Sequence, residues 1–200
     1  MIPTDQYNPA YIQFEATSNV DHLNEKNLAR GRNCTSIDAL IYGQNKYGEK
    51  ILFVIEWKYI ELYGNEDKAS GERGLIRKKR YTDLINNSQQ LKTENHNAFY
   101  YEPFYQLMRQ ILWAEQMIVQ SGDEIIKADD FIHIHVIPKE NKELLEKLYV
   151  PSDKNLEDTW RSLIEDQNKY KILTPEELFE PINTSAEYDN LVKYLQERYW

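Results

Sequence analysis

The segment from Ile51 to Tyr59 constrains the chain most. Its odd positions, Ile51, Phe53, Ile55, Trp57 and Tyr59, are all apolar, while the even positions pass from Leu52 and Val54 to Glu56 and Lys58. Alternation with period two marks a strand, whose successive side chains leave opposite faces. One face is apolar throughout; the other ends in a carboxylate and an amine. Charge at the end of a strand otherwise built for burial needs a reason, because an unpaired buried charge is costly.

A partner strand is legible upstream. Ser36 to Tyr42 alternates, with Ile37, Ala39 and Ile41 on one face and Ser36, Asp38, Leu40 and Tyr42 on the other, and the stretch from Gly43 to Gly48 supplies a turn. A turn centred near residue 46 or 47 sets Asp38 opposite Val54 or Glu56. Opposed or diagonal side chains lie within roughly 5–8 Å, a span that one ion can bridge. Two carboxylates suit a hard cation such as Mg²⁺, which takes oxygen ligands, and an amine beside them can orient a water and stabilise charge on a phosphate. On spacing alone a cross-strand salt bridge among Asp38, Glu56 and Lys58 is the commoner reading, because Asp-x17-Glu-x-Lys is short and degenerate.

The rest of the chain reads as one domain. Residues 1–17 lack periodicity and are expected to form an extended arm. Ser18-Asn19-Val20-Asp21 fits a capping box opening a short helix that Gly31 closes. The stretch from Gly64 to Gly74 is polar, a helix is expected from about Leu75 to Leu91, and Pro103 suits the first position of a helix reaching Val119. The apolar stripe of that helix is Phe104, Leu107, Met108, Ile111, Leu112 and Ile118, with Gln106, Arg109 and Gln110 on a separate face. Phe131 to Ile137 is a strand stopped by Pro138. A helical extension over 139–200 follows, with helices near 139–149, 155–168, 175–180 and 185–198.

Composition fits a globular protein with a real core: 41% of residues are hydrophobic and 15 are tyrosine. A lone cysteine, Cys34, excludes an internal disulfide and points to a reducing compartment. The start carries no secretory signal and no run of roughly 18 apolar residues occurs, so a soluble, cytoplasmic protein is expected, without membrane contact. The net charge of −9 runs against simple duplex binding, which favours a basic surplus. Its distribution is uneven, however. Residues 68 to 80 hold Lys68, Arg73, Arg77, Lys78, Lys79 and Arg80 against one acid, Glu72, while acids gather from Glu140 onward. A solvated helix face and a nucleic-acid contact explain such a basic run equally well.

Arg32 to Asp38, followed by Ile51 to Tyr59, resembles the PD-(D/E)XK nuclease superfamily. Ile55-Glu56-Trp57-Lys58-Tyr59, with the later segment from Tyr101 to Gln110, resembles a bacterial family of restriction-endonuclease-like proteins. The resemblance covers about residues 25 to 140. It implies an α/β fold with a mixed sheet, a restriction-endonuclease-like α-β-β-β-α-β core with added C-terminal helices. It further implies metal ligands at Asp38 and Glu56, a catalytic lysine at Lys58, and Gln106 and Arg109 facing the site or the DNA backbone. Superfamily members often add an acid from the first helix, for which Glu25, with His22 on the same helical face, is the candidate. Two departures stand: only Gly31 to Thr35 is available for a strand before the Asp38 strand, and Ile37 replaces the proline before the first acid.

Other polar and aromatic clusters fit packing more readily than chemistry. His133 and His135 share a strand face and could take Zn²⁺ with Asp129 or Asp130, yet lining the less buried face of a core strand is commoner. Cys34 has no histidine in a nucleophile context. Phe99-Tyr100-Tyr101 and Phe104-Tyr105 could stack on bases, but packing at a helix start is more frequent. No phosphate-cradling glycine loop occurs. The expectation is a Mg²⁺-dependent endodeoxyribonuclease, with Mn²⁺ as substitute, in restriction or defence. Asp38 and Glu56 would hold metal, Lys58 and Gln106 would serve the chemistry, and Arg73, Arg77, Lys78, Lys79, Arg80 and Arg109 would contact DNA. RNA stays open as a substrate, double-strand cutting would favour a homodimer, and the alternative is a silent nuclease-fold module that binds nucleic acid or protein.

Overall fold

The hairpin expected from the alternating segments is the centre of a five-stranded sheet. In the computed structural model, which describes residues 1–4, 10–28, 31, 34–183 and 185–199, the strands are β1 (Ile12–Ala16), β2 (Ile37–Gln44), β3 (Lys50–Trp57), β4 (Asp130–Val136) and β5 (Tyr170–Leu173). They lie in sequence order; β1-β2-β3 form an antiparallel meander, and β4 and β5 add in parallel. The helices are α1 (Gly71–Asn87), α2 (Phe104–Val119), α3 (Lys142–Leu145), α4 (Leu156–Ser162), α5 (Pro175–Phe179) and α6 (Asp189–Tyr199). The chain is thus a mixed α/β protein. Among the described residues, no helix is long and apolar enough to cross a membrane.

The β3–β4 connection carries α1 and α2, as a parallel pair requires a crossover. Register determines what α2 covers. Leu52, Val54 and Glu56 on β3 lie beside Phe131, His133 and His135 on β4, and all six are buried. Leu40 and Tyr42 of β2 sit opposite Val54 and Leu52 and continue the face. The apolar stripe of α2, from Leu107 to Leu112, closes over it in one buried cluster that also takes in Leu144, Tyr149, Leu156, Trp160 and Tyr170 from the C-terminal region.

Several expectations need correction. The helix expected between Ser18 and Gly31 does not form in its described part. The Asp21 carboxylate accepts from the amides of Glu25 (2.7 Å) and Lys26 (2.6 Å), and Asn24 and Lys26 take left-handed backbone angles, so the side chain offers the backbone a tight turn instead. The expected arm contains β1, which pairs antiparallel with the Asp38 strand; Arg32 and Asn33, in the stretch from Gly31 to Thr35 left for a strand there, lie outside the described residues. The helix expected from Leu75 begins at Gly71 and so takes in the basic residues; it stops at Asn87, where the Ser88 hydroxyl accepts from Leu91 (2.9 Å). In the C-terminal region α3 is one turn long, because Tyr149 turns inward, donates to the Leu144 carbonyl (3.0 Å) and pairs with Lys154. α4 ends at Ser162, where Leu163 and Ile164 turn to pair with Lys92 and Leu91. β5 falls in the gap between the helices expected near 155–168 and 175–180, where no strand is expected from the sequence. Its four residues show no alternation of their own and are extended by pairing with β4.

Gly74 explains how α1 starts. A Cβ there would lie 2.0 Å from the Ala69 carbonyl oxygen, which is backbone and cannot swing away. Gly74→Ala should therefore cost about 1–3 kcal/mol, the usual range for overpacking, measured as a shift in the urea unfolding midpoint. An unchanged midpoint would show that the first turn of α1 is not needed for the fold.

Candidate functional site

The β2–β3 register pairs Ala39 with Ile55 and Leu40 with Val54. One step further sets Asp38 opposite Glu56, one of the two registers that the turn allowed. Asp38 is half-buried and Glu56 fully buried. One Asp38 oxygen, Oδ2, accepts from the Trp57 amide (2.9 Å). Lys58, two residues beyond Glu56 and buried with it, forms an ion pair with Glu56 Oε1. Asp38 is close enough to act electrostatically on both.

α2 completes the site. Gln106 Nε2 donates to Glu56 Oε1 (2.6 Å), and the Gln110 amide donates to Glu56 Oε2. The Tyr63 hydroxyl donates to the Gln106 oxygen (3.3 Å). Because the Gln110 amide nitrogen faces Glu56, its oxygen faces His133 Nε2 at 2.9 Å, so that ring nitrogen carries the proton. Burial pushes the Glu56 carboxyl up to about 7; the Lys58 ammonium opposes this shift and Asp38 adds to it. Burial works against the Lys58 charge, yet Glu56 and Tyr63 hold its pKa above the ordinary lysine value. Burial also pushes the Tyr63 phenol up to about 12.

Four expected residues, Asp38, Glu56, Lys58 and Gln106, are thus brought together. Glu25 is not. Its carboxylate accepts from the Thr35 amide and hydroxyl (2.8 Å for the latter), the Tyr81 hydroxyl (2.6 Å) and Arg109 Nη2 (2.9 Å). His22 lies elsewhere, against Glu124 (2.9 Å). Arg109 accordingly faces Glu25 and Tyr105 rather than Glu56. Arg73, Arg77, Lys78, Lys79 and Arg80 fall within the first ten residues of α1.

Gln110 and Tyr63 were missed as site residues. Gln110 stands four residues after Gln106, the spacing that stacks two amides on one helix face, and this was the available signal. Tyr63 is placed only by the turn that follows β3, which no local pattern reveals. His133 and His135 sit on the buried side of β4, not the less buried one. His135 Nδ1 meets the Tyr170 hydroxyl (3.1 Å). Asp129 and Asp130 lie at the other end of the strand, on the Lys50 amide and Lys169. Among the described residues, no three His, Cys, Asp or Glu side chains are placed to hold a metal. Tyr100, Phe104 and Tyr105 are core residues, stacked on one another or on Trp160. Burial pushes the half-buried Cys34 thiol up, and Glu25 adds to this.

The whole chain, residues 1–200, matches the family model described as restriction endonuclease associating with ARP. The protein belongs to this restriction-endonuclease family. No curated protein and no solved structure matches it.

The histidines make the fold acid-sensitive. Burial holds His133 down to about 3 and His135 well below the ordinary imidazole value. A depressed folded-state pKa means that the unfolded chain binds the proton first. The stability is present above the unfolded value near 6.5 and is lost as pH falls toward 3. The His133→Gln variant, which keeps a donor for Gln110, should lose about 2 kcal/mol less than wild type between pH 7 and 5. Urea midpoints at the two pH values give the comparison, and equal losses would mean that His133 takes up its proton as readily in the fold as in the unfolded chain.

Proposed function

We propose that the protein is a metal-dependent nuclease hydrolysing DNA phosphodiester bonds at the site built by Asp38, Glu56, Lys58 and Gln106. The observation that carries this reading is their convergence at one end of β3. Two carboxylates oppose one another on adjacent strands, and an ammonium lies beside them at the buried end of the central strands. A salt bridge for stability alone is a poor explanation. Burying such a pair costs several kcal/mol per ion in desolvation and is commonly matched by apolar packing.

The donor set fits Mg²⁺ or Mn²⁺ in kind, since Mg²⁺ is usually held by one or two carboxylates with water and substrate oxygens filling the rest. Asp38 and Glu56 would be its protein ligands. A bound divalent ion would polarise the phosphodiester and acidify a water. Both Glu56 oxygens already have donors, from Lys58, Gln106 and Gln110. For Glu56 to hold an ion, the Lys58 ammonium would have to withdraw from it and would then be free to face the phosphate. The Gln106 amide, held from behind by Tyr63, keeps the Glu56 carboxylate oriented as this happens. Lys58 then supplies fixed positive charge where negative charge grows on the phosphate oxygens, the situation in which a preorganised donor lowers a barrier most.

Purified protein should cleave DNA with Mg²⁺ or Mn²⁺ and stop on chelation. Lys58→Ala should lower the rate at least about a hundredfold, the usual cost of losing a charge-stabilising donor. Undiminished cutting by this variant, in protein free of contaminating nuclease, would sink the assignment. No cutting of any DNA or RNA by wild type would favour the second reading, a silent module in which the closed Lys58–Glu56 pair is the resting and only state.

A further inference from the structure

Beside the candidate site, four arginines converge on a recess. Arg73, Arg77 and Arg80 from α1 and Arg109 from α2 line a cavity of about 360 Å³, together with Tyr81 and Tyr105. This lies at the small end of the roughly 300–1,000 Å³ of small-ligand sites. Three of the four guanidinium groups are held in place, and Arg73 is exposed at the rim. Arg77 and Arg109 both lie against the Tyr105 ring, at 5.7 and 5.5 Å from its centre, and Arg80 lies 5.7 Å from that of Tyr81. Arg77 is further tied to the Lys68 carbonyl (2.9 Å) and Arg109 to Glu25.

Their charge is not neutralised from within. Among the described residues, the carboxylate paired with this set is Glu25, on Arg109. Arg80 Nε is buried and has no hydrogen-bond partner, a donor left unsatisfied at a cost of about 1–3 kcal/mol. Preorganised guanidinium forks match phosphate oxygens two at a time. A concave, cationic pocket with an unspent buried donor is built for an anion.

Shape and charge narrow the anion. Backbone phosphodiesters carry one negative charge each and run past a surface as a series. A phosphomonoester at a strand end protrudes and carries about −1.5 to −2 near pH 7, closer to the surplus of three positive charges left by four arginines and Glu25. Tyr105 and Arg109 flank Gln106 on α2, and Gln106 holds Glu56. The recess therefore borders the site. We propose that this cavity captures the terminal phosphate of a nucleic-acid strand and seats that end beside Asp38, Glu56 and Lys58. The substrate class is thus a strand with a phosphorylated end. This rests on the nuclease reading of the neighbouring site.

The test is binding without chemistry. Full-length protein in EDTA is titrated against fluorescent single-stranded and duplex oligonucleotides carrying 5′-phosphate, 3′-phosphate or hydroxyl ends, at fixed salt. One phosphorylated end should bind at least about tenfold tighter than its hydroxyl counterpart. In Arg80→Gln and in Arg73→Gln the ratio of the two affinities should fall to within about twofold. Should either variant fail to fold by circular dichroism, Arg80→Lys keeps the charge, loses the fork and should lower the ratio partway. No preference for either end, or a preference that survives these substitutions, overturns the proposal. So does an equal loss for phosphate and hydroxyl ends, which would mean that the arginines read backbone phosphodiesters. Competition by a free nucleoside monophosphate at the strand's own affinity would assign the cavity to a mononucleotide instead. Because metal is absent, a protein that prefers phosphorylated ends but never cuts defeats the nuclease reading alone. One that cuts but ignores the end defeats only this proposal.

Discussion

The structure depends on burying one carboxylate. Glu56 is fully buried at the end of the strand that anchors the sheet, and a carboxylate there is tolerable only if its oxygens find donors. Three side chains reach it: Lys58 from just past the end of the same strand, and Gln106 and Gln110 from successive turns of α2. The demand propagates outward. Gln110 must turn its amide nitrogen to Glu56, which turns its oxygen to His133 and sets the protonated nitrogen of that ring. Gln106 is steadied in turn by Tyr63. A slip of α2 along its axis would strand these groups in an apolar interior, so satisfying Glu56 also fixes how the helix sits.

A second carboxylate does the same on the neighbouring face of α2, one turn along from Gln106. Glu25 receives Arg109 and Tyr81, and so ties α2 and α1 to the irregular segment between β1 and β2. That segment needs the left-handed Asn24 and Lys26 and the Asp21 side chain to deliver Glu25. A regular helix over the same residues would lack this shape. One helix is thus held by two acids, one facing the candidate chemistry and the other facing the arginine recess.

This division explains what could be read from sequence. β2 and β3 were legible because alternation is local and the turn between them is short, and their pairing alone brought Asp38, Glu56 and Lys58 to one face. Gln106 was legible from α2, where an amphipathic stripe leaves few polar positions. Glu25 was not legible in its actual role: Ser18 to Asp21 carries the residues of a helix cap, and only the Asp21 carboxylate turning onto Glu25 and Lys26 overrides it. β5 and the premature ends of α3 and α4 depend on pairing with residues far away in sequence, for which no window holds a signal. The basic run shows the same limit from another side. Its charges were visible, but that four arginines would enclose a space with two tyrosines depends on how α1 meets α2.

The overall charge of −9 and the arginine recess are then parts of one electrostatic arrangement. A predominantly acidic surface disfavours phosphate backbones over most of its area, so a polyanion gains energy only where positive charge is concentrated and sheltered from screening. Low-dielectric walls such as Tyr81 and Tyr105 focus that field into the recess. On the nuclease reading, Tyr105 adjoins Gln106 on α2, and Gln106 leads to Glu56 and its partner Lys58. A place where a nucleic acid is attracted would then adjoin the place where its phosphodiester can be cut, and this orientation would need no base contacts.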